Sequence, residues 1–418
     1  MLDRYPALKY PLYRRYWLAS LASVGGWQIS ALAMGWLIFE LSGSALDLGI
    51  LGAATAIPAI LLTLVGGVIA DRFEKRQVLL WTTSLNALLL LSLAALAYTE
   101  VVTVWHIWLI AGAISCVSGV DWPTRQSFFP HLINREALLS AVALNSVLWQ
   151  ATRMILPAIG GVLLAVTHVA VVFGLAAAGY LTMLAVITTI NLRLPGSQAE
   201  SVIRQTAQGL QFIMQQRMFR SLILLSYASM FFLSSYMQLM PAFADLFNAG
   251  PTGFGFLMSA TGVGSLLGTA ASGALKIERN YGRLMLLAAL VATLFLFAFA
   301  WAAQLPSYTL GLLFVVAGAS GTSVFLILST TALQAQVPDE LRGRVMGIHG
   351  ITYSLMPLGA LFTGALAGEV GVPPALMISL GCYLLLLGVL AGSAPEVRNM
   401  APPDSDAEDT RTPQTVRQ

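Results

Sequence analysis

The chain has 418 residues, of which 57% are hydrophobic and only 10% are charged, and its formal net charge is +3. Soluble globular domains carry about 25% charged residues, so this composition excludes a soluble protein and indicates a surface that faces hydrocarbon. The two cysteines lie in apolar runs and the four histidines have no metal-ligand spacing. We therefore expect no disulfide framework, no metal and no other cofactor.

Long apolar segments follow one another along the whole chain. A helix needs roughly 20 apolar residues to cross the hydrocarbon core of a membrane. The first segment is too long for the hydrophobic region of a cleavable signal peptide. We predict an all-α membrane protein with twelve spans at residues 16–41, 48–70, 77–97, 105–125, 138–166, 169–192, 219–247, 254–275, 284–303, 310–333, 345–369 and 375–394.

The basic residues outside these spans are strictly segregated. Lys and Arg occur before the first span, after the last span and in every second connection. The opposite connections and the span ends beside them hold only acidic charges, at Glu40, Asp47, Glu100, Asp245 and Glu369. Basic connections stay on the cytoplasmic side of a membrane. We therefore expect a multi-pass protein of the cell inner membrane with both termini in the cytoplasm.

The longest internal connection, residues 193–218, divides the chain into two halves. Apolar residues recur at helical spacing within it, which predicts an amphipathic helix on the membrane surface. We expect a cytoplasmic N-terminal segment at 1–15, six-helix bundles at 16–192 and 219–394, and a disordered tail at 395–418.

The two halves resemble each other where their second spans end. With an offset of 207 residues, Gly66 aligns with Gly273, Asp71 with Glu278, Arg72 with Arg279 and Arg76 with Arg283. Internal repeats are common in secondary transporters, whose substrate site lies between the repeats.

The connection after the second span holds a motif formed by Gly67, Asp71, Arg72, Lys75 and Arg76. Glycine lets a helix end pack closely on a neighbour, and the acid can interact with the N-terminus of an adjacent helix. The basic residues favour the cytoplasmic face. An ordinary basic connection would explain the positive charges but neither the glycine nor the acid.

This motif resembles the Gly-x-x-x-Asp-Arg-x-x-Arg/Lys-Arg/Lys signature of the major facilitator superfamily. Two six-helix halves, a long central linker and a second basic connection at residues 338–345 extend the likeness to nearly the whole chain. Residues 36–49 and 123–130, with 338–345, are similar to the branch that holds the enterobactin exporter and macrolide efflux proteins. The resemblance implies the major facilitator fold, with two pseudo-symmetric bundles.

The resemblance also implies an inner gate. Asp71 would help to close it by contacting the start of the eleventh span near Arg344, with Arg342 in the same basic connection. Glu74 departs from the family pattern, because many members have glycine at that position.

The fifth span contains Pro157, Gly160 and Gly161, which are similar to the superfamily's antiporter motif Gly-x-x-x-Gly-Pro-x-x-Gly-Gly. Thr152 and Leu156 replace its first two glycines. Proline loosens a helix and glycine lets it bend and pack closely. The motif favours export, although ordinary membrane helices also contain Gly and Pro.

Arg153 is the basic residue that we place near the middle of the membrane. A charge at that depth is costly and normally faces the protein interior or a water-filled cavity. It would either bind an anionic part of a substrate or serve a structural role, bonded to helix carbonyls or to Gln28 at a similar depth in the first span.

Asp121 and Arg125 lie near the inner end of the fourth span with a spacing that allows a local ion pair. The structural interpretation is therefore favoured, while Asp121 remains our candidate proton carrier. Related drug/proton antiporters carry an arginine within the fourth span, and residues 105–119 contain none.

Two further candidates lie on the seventh span. The first spans of the two halves line the cavity in this superfamily, so Gln28, Tyr236 and Gln238 are candidate substrate contacts. Aromatic and amide side chains suit a bulky, mostly apolar ligand.

These features predict a secondary active transporter that exports a bulky amphipathic solute, such as a drug or siderophore, by alternating access. Protons are the candidate coupling ions, and the expected partners are the small-molecule substrate and membrane lipid, with no nucleic acid. We expect a monomer that is not an enzyme.

The alternatives are an importer of a small metabolite, a membrane-embedded enzyme, and a scaffold or receptor. The chain has no phosphate-binding Gly-x-x-x-x-Gly-Lys-Ser/Thr loop, which disfavours an ATP-driven pump.

Overall fold

The computed structural model describes residues 5–192, 202–274, 280–305 and 307–402, and all of their side chains except those of residues 63–71 and 202–206. Within these ranges the chain forms helices and no strand. Twelve helical segments are long and apolar enough to cross a membrane, which confirms the predicted all-α class and number of spans.

The α-helices are numbered in chain order. They are α1 Pro11–Ser42, α2 Ala45–Arg72, α3 Lys75–Tyr98, α4 Val104–Phe128, α5 Leu138–Val166, α6 Val169–Thr189, α7 Val202–Gln215, α8 Arg217–Ala228, α9 Met240–Leu246, α10 Gly250–Ala274, α11 Tyr281–Ala302, α12 Tyr308–Gln336, α13 Asp339–Gly350, α14 Leu355–Val370, α15 Val372–Ser393 and α16 Pro395–Arg398.

The spans form two bundles. In the N-terminal bundle α1 packs on α5 and α6, and α4 packs on α2 and α3. In the C-terminal bundle α12 packs on α10 and α11, and α15 packs on α11 and α14. The two bundles meet chiefly along α5 with α10 and along α2 with α14. Two six-helix bundles with paired interface helices confirm the predicted fold.

The first helix begins at Pro11 rather than at residue 16, and a short 3-10 helix, Pro6–Lys9, precedes it. Proline is favoured at the first position of a helix because its φ is already helical and it has no N–H to satisfy. The N-terminal segment predicted at 1–15 is therefore partly helical where the structure describes it.

The seventh span is broken, whereas a single helix over 219–247 was predicted. A π-helical turn, Ser229–Leu233, and a 3-10 turn, Ser235–Met237, separate α8 from α9. The Ser229 hydroxyl donates to the carbonyl of Ser226, and the Ser235 hydroxyl donates to that of Phe232. Serine hydroxyls that bond nearby carbonyls compete with regular helix hydrogen bonds and bend helices.

The eleventh span starts earlier than predicted. Helix α13 begins at Asp339, so Arg342 and Arg344 lie on a helix rather than in the connection assigned to residues 338–345. Asp339 and Glu340 occupy its first turn, where negative side chains are stabilised by the positive end of the helix dipole. A 3-10 turn, Ile351–Ser354, joins α13 to α14.

The predicted amphipathic helix of the linker is present as α7, and it packs on α13. An added Cβ at Gly209 would lie 3.0 Å from the Cβ of Arg344, so glycine permits this close approach. Residues 193–201, which include the first part of the predicted linker, lie outside the described residues.

The prediction of disorder after residue 394 is wrong for the part of the tail that the structure describes. Helix α16 buries Val397, and Met400 is also buried. The backbone N–H of Gly282 donates to the carbonyl of Met400 at 3.3 Å, which joins this segment to the start of α11. Two apolar side chains within a polar tail supply that anchor. Residues 403–418 lie outside the described part.

Candidate transport site

The twelve spans alternate in direction, so the start of α1 and the end of α15 lie at one membrane face. We call this the terminal face and the opposite one the distal face. The ends of α5 and α14 and the starts of α2 and α10 lie at the distal face.

The bundles touch in the distal half of the membrane through glycine. Along α5 and α10, an added Cβ at Gly161 would lie 2.6 Å from the carbonyl oxygen of Pro251. Along α2 and α14, an added Cβ at Gly52 would lie 2.7 Å from the carbonyl oxygen of Pro357. Because a real Cβ never approaches so closely, the absence of a side chain allows helix backbones to pack directly on each other.

The glycine contacts between α5 and α10 extend to Gly262, whose added Cβ would lie 2.9 Å from the Cα of Met154. Gly264 and Gly268 of α10 face α12 instead, where they adjoin Val316 and Ser320. The close glycine packing between α5 and α10 therefore lies in the distal half of α5.

Pro157 lies within α5, next to the contact with α10. It has no N–H, so the helix loses one backbone hydrogen bond there. The N–H of Ala158 donates to the hydroxyl of Ser259 on α10 at 2.9 Å. Helix α5 is thus tied to the other bundle by a direct hydrogen bond.

Gly160 and Gly161, which follow Pro157 in α5, pack against two different helices. Gly160 faces α1, where an added Cβ would lie 2.8 Å from Leu32, and Gly161 faces α10. Together they allow α5 to pack closely on its own bundle and on the opposite bundle.

Arg153 lies one turn before Pro157 and is half-buried. Tyr236, a buried residue of the C-terminal bundle, lies within range of an electrostatic interaction with Arg153. Tyr236 packs against Phe299 at a ring-centroid distance of 6.1 Å. In the described part of the chain, no hydrogen bond or ion pair joins the Arg153 guanidinium to Gln28 or to another residue. Gln28 and Gln238 are also half-buried, and their roles remain predictions.

Asp121 and Arg125 form the ion pair that their spacing allows. Arg125 Nε donates to Asp121 Oδ2 at 2.5 Å and Arg125 Nη1 donates to Ser23 Oγ at 3.1 Å. Thr82 Oγ1 donates to Asp121 Oδ1 at 2.6 Å. The side chains of the pair are 12% and 13% exposed. The network connects α1, α3 and α4, so both carboxylate oxygens are engaged within the N-terminal bundle.

The basic residues that follow α2 bond to the ends of other helices. Arg76 Nη2 donates to the carbonyl of Thr188 at 3.0 Å, at the end of α6, and Lys75 Nζ donates to that of Ser127 at 3.5 Å, near the end of α4. Positive groups satisfy the free carbonyls and the negative dipole at helix C-termini. Arg72 is exposed. The side chains of Gly67 and Asp71 lie outside the described part.

The basic residues of α13 have partners of their own. Arg342 pairs with Asp339 at 2.6 Å and donates to the carbonyl of Gln334 at 2.9 Å, with both charged side chains largely in solvent. Arg344 lies under α7, beside Gly209. The linker helix thus covers the part of α13 to which the predicted gate contact was assigned.

Sequence reasoning missed an aromatic pocket between α1, α4 and α5. Trp122, Phe129 and Trp149 line it together with Arg125 and Trp17. These residues come from three helices at no common spacing, so no pattern along the chain could have identified them.

The sequence matches the family described as Transmembrane secretion effector over residues 4–418. The chain belongs to this family of the major facilitator superfamily, and it is a transporter. It is 28% identical over 385 residues to the enterobactin exporter EntS of Escherichia coli O1:K1 / APEC, with 91% of each chain covered. The enterobactin exporter EntS of Shigella boydii serotype 18 shows the same identity and coverage.

Solved transporters share the fold of this family member. A bacterial homologue of the iron transporter ferroportin, in its inward-facing state, superposes with a TM-score of 0.71 at 17% identity, covering 91% of this chain and 98% of that one. A bacterial homologue of the human lysosomal transporter Spinster, inward-facing and unoccupied, gives 0.70 at 14% identity, covering 91% and 95%. These similarities show the fold alone.

Proposed function

We propose that this protein exports a bulky amphipathic solute by alternating access. The observation that carries the proposal is the close glycine packing between the two bundles in the distal half of α5 and α10. Relatives that cover 91% of the chain are named as exporters, and solved transporters of the same fold include inward-facing states. A transporter that loads in this state takes up solute from the terminal face.

The terminal face is the cytoplasmic face of the inner membrane in this proposal. The basic residues, such as Arg14, Arg15, Lys75 and Arg76, gather at that face, and basic connections stay in the cytoplasm. Both termini then lie in the cytoplasm. Solute would leave through the distal face when the glycine contacts separate.

The polar centre of the proposed site is Arg153. A guanidinium at mid-membrane depth is stable only near water, a partner or an anion. Tyr236 supplies a hydroxyl from the opposite bundle, so a ligand held by both residues would contact both halves of the protein. Gln28 and Gln238 are the candidate neutral contacts. A ligand with one anionic group and an extended apolar body fits this composition.

Proton coupling belongs to the same proposal, with Asp121 as the candidate carrier. Its carboxylate accepts hydrogen bonds from Arg125 and Thr82. Protonation would weaken the bond to Arg125 and release that guanidinium toward the pocket described above. The pair is thus a site where a proton and a conformational change are linked.

The experiment is a thermal-shift screen of amphipathic compounds with the purified protein, followed by flux in proteoliposomes under an imposed pH gradient. We expect the stabilising compounds to move from the terminal face to the distal face in exchange for protons. Net movement of small hydrophilic metabolites in the opposite direction would contradict export. Absence of flux for every stabilising compound would favour a receptor.

A further inference from the structure

The linker helix α7 has three different faces in the part whose side chains the structure describes. Residues four apart share a face of a helix. Gly209 and Ile213 are buried, and this face packs on α13 at Gly209. Leu210 and Met214 form a second apolar face, but they are 50% and 55% exposed. The third face is polar and exposed, and it consists of Gln208, Gln211 and Gln215. An amphipathic helix that lay on protein alone would need only one apolar face.

The next helix begins with two exposed arginines. Arg217 and Arg220 occupy the first turn of α8, which starts the seventh membrane span. Leu224 follows on the same face of α8 and is 43% exposed. An exposed apolar residue of a membrane span faces lipid, and arginines near the end of a span extend to the membrane–water boundary. Both guanidinium groups are therefore placed at the level of the lipid headgroups.

The apolar face of α7 and the arginines of α8 are held close together. Only Gln216 separates the two helices, and Met214 precedes Arg217 by three residues. Across this junction the rings of Phe212 and Phe219 pack with centroids 5.1 Å apart. The exposed apolar face and the two positive charges thus belong to one surface.

The two arginines have no acidic partner in the described part of the chain. Residues 202–244 contain neither Asp nor Glu. Helix α16 also packs on α8, and its Glu396 is exposed, yet it forms no ion pair with Arg217 or Arg220 among the described residues. The charge of this surface is therefore complementary to an anionic partner outside the chain.

We propose that the exposed apolar face of α7 and the two arginines of α8 bind an anionic phospholipid of the surrounding membrane. Its acyl chains would contact Leu210 and Met214, and its phosphate oxygens would accept hydrogen bonds from Arg217 and Arg220. The glutamine face of α7 would remain in water. Because the third face of this helix packs on α13, the bound lipid would hold the linker against the C-terminal bundle.

The test places a fluorophore on α7 and measures its quenching by lipids that are spin-labelled near the glycerol backbone. The fluorophore is attached at Gln211→Cys, on the polar face, after replacement of Cys116 and Cys382. The full-length protein is studied in phosphatidylcholine nanodiscs. Spin-labelled phosphatidylglycerol should reach half-maximal quenching at an about 25-fold lower mole fraction than spin-labelled phosphatidylcholine. Each of the two arginines contributes about fivefold to the binding of an anionic lipid surface.

Arg217→Gln/Arg220→Gln should remove most of the preference for phosphatidylglycerol. The matched control is Arg14→Gln/Arg15→Gln, which removes two exposed arginines at the start of α1, on the same membrane face, and should leave the preference unchanged. All four side chains are exposed, so we expect both variants to melt like the wild type.

Leu210→Gln/Met214→Gln separates the apolar contribution from the charge. It should weaken quenching by both lipids, because the acyl chains lose their contact with α7. Equal quenching by the two lipids in the wild type, or an unchanged preference after Arg217→Gln/Arg220→Gln, would overturn the proposal. Relief of the quenching by excess soluble glycerol phosphate would also overturn it, since the surface would then bind a free phosphate rather than a lipid. None of these measurements depends on transport, so flux tests the export proposal separately.

Discussion

The distal and terminal halves of the protein are held together by different residues. In the distal half, glycines on α2, α5, α10 and α14 allow the backbones of the two bundles to touch. In the terminal half, the linker helix packs on α13, and arginine and lysine at helix ends and a buried ion pair connect helices of the N-terminal bundle. The bundles thus touch each other through shape in the distal half, while charge holds together the terminal half of one bundle.

This difference separates the contacts that a change between open and closed faces must break from those that it can keep. Glycine contacts between the bundles give packing energy only when the backbones are in register, so they are formed completely or lost together. The charged contacts lie within the N-terminal bundle, so that bundle can move as a unit without breaking them.

The largest expected effect follows from adding a methyl group at the distal contact. In Gly255→Ala the new Cβ would clash with the carbonyl oxygen of Pro157, so the distal face could not close as described. Overpacking of this kind costs about 1–3 kcal/mol, which corresponds to a loss of the distal-closed state by roughly fivefold to a hundredfold. Solute flux in proteoliposomes should fall accordingly.

Gly174→Ala is the matched control, because no atom lies within 4 Å of a Cβ added there. Equal flux in the two variants would show that the distal glycine contact is not part of the transport cycle.

The buried pair in the terminal half gives the next largest effect. Asp121→Asn leaves the guanidinium of Arg125 without its compensating charge in a nearly closed environment, which should lower the free energy of unfolding by about 3 kcal/mol. Thermal unfolding of the purified protein measures this. Glu40→Gln, at an exposed position, should unfold like the wild type.

The double variant Asp121→Asn/Arg125→Gln should recover part of the loss, since the unpaired charge is removed as well. A double variant less stable than Asp121→Asn alone would assign Arg125 a stabilising partner other than Asp121.

Substitutions of Arg153 test whether an anion binds near Pro157, where α5 meets α10. Arg153→Gln should weaken the binding of 2-naphthoate about tenfold and leave that of 2-naphthol almost unchanged, because only the carboxylate loses a charge-assisted hydrogen bond. Arg153→Lys should fall between them, since it keeps the charge and loses the planar fork. Equal weakening of both ligands together with a lower melting temperature would instead support a structural role.

The smallest expected effect concerns the gate residue predicted from the family signature. Asp71→Asn should retain the fold and slow the flux, because a neutral side chain interacts less strongly with the positive start of α13. The protein would then favour the state that is open at the terminal face. Flux at the wild-type rate would remove Asp71 from the gate.

The sequence was sufficient for the parts of the fold that depend on local composition. Each span is an apolar run of adequate length, so their number could be counted directly, and the spacing of Asp121 and Arg125 predicted their ion pair. The break between α8 and α9 could not be predicted, because it depends on serine hydroxyls and on the carbonyl of Phe231 packing against Gly359 of a distant helix. Only tertiary contact reveals such a site.

The residues of the candidate site were likewise predictable from the sequence only in part. Arg153 was evident as a charge within an apolar run, but its proximity to Tyr236 depends on how the two bundles meet. The anchored segment at Val397 and Met400 was missed because two apolar residues in a polar tail give too weak a pattern.

The most direct test of alternating access at this interface is a pair of distance measurements with spin labels in lipid nanodiscs. The labels are placed in a protein whose free cysteines, Cys116 and Cys382, have been replaced. One pair joins Ser146 on α5 to Thr269 on α10, in the terminal half, and the other joins Val166 to Asn248 at the distal face. We predict a long distance for the terminal pair and a short distance for the distal pair, and Gly255→Ala should shorten the terminal distance and lengthen the distal distance. Two distances that stay unchanged, or that change in the same direction, would contradict the account.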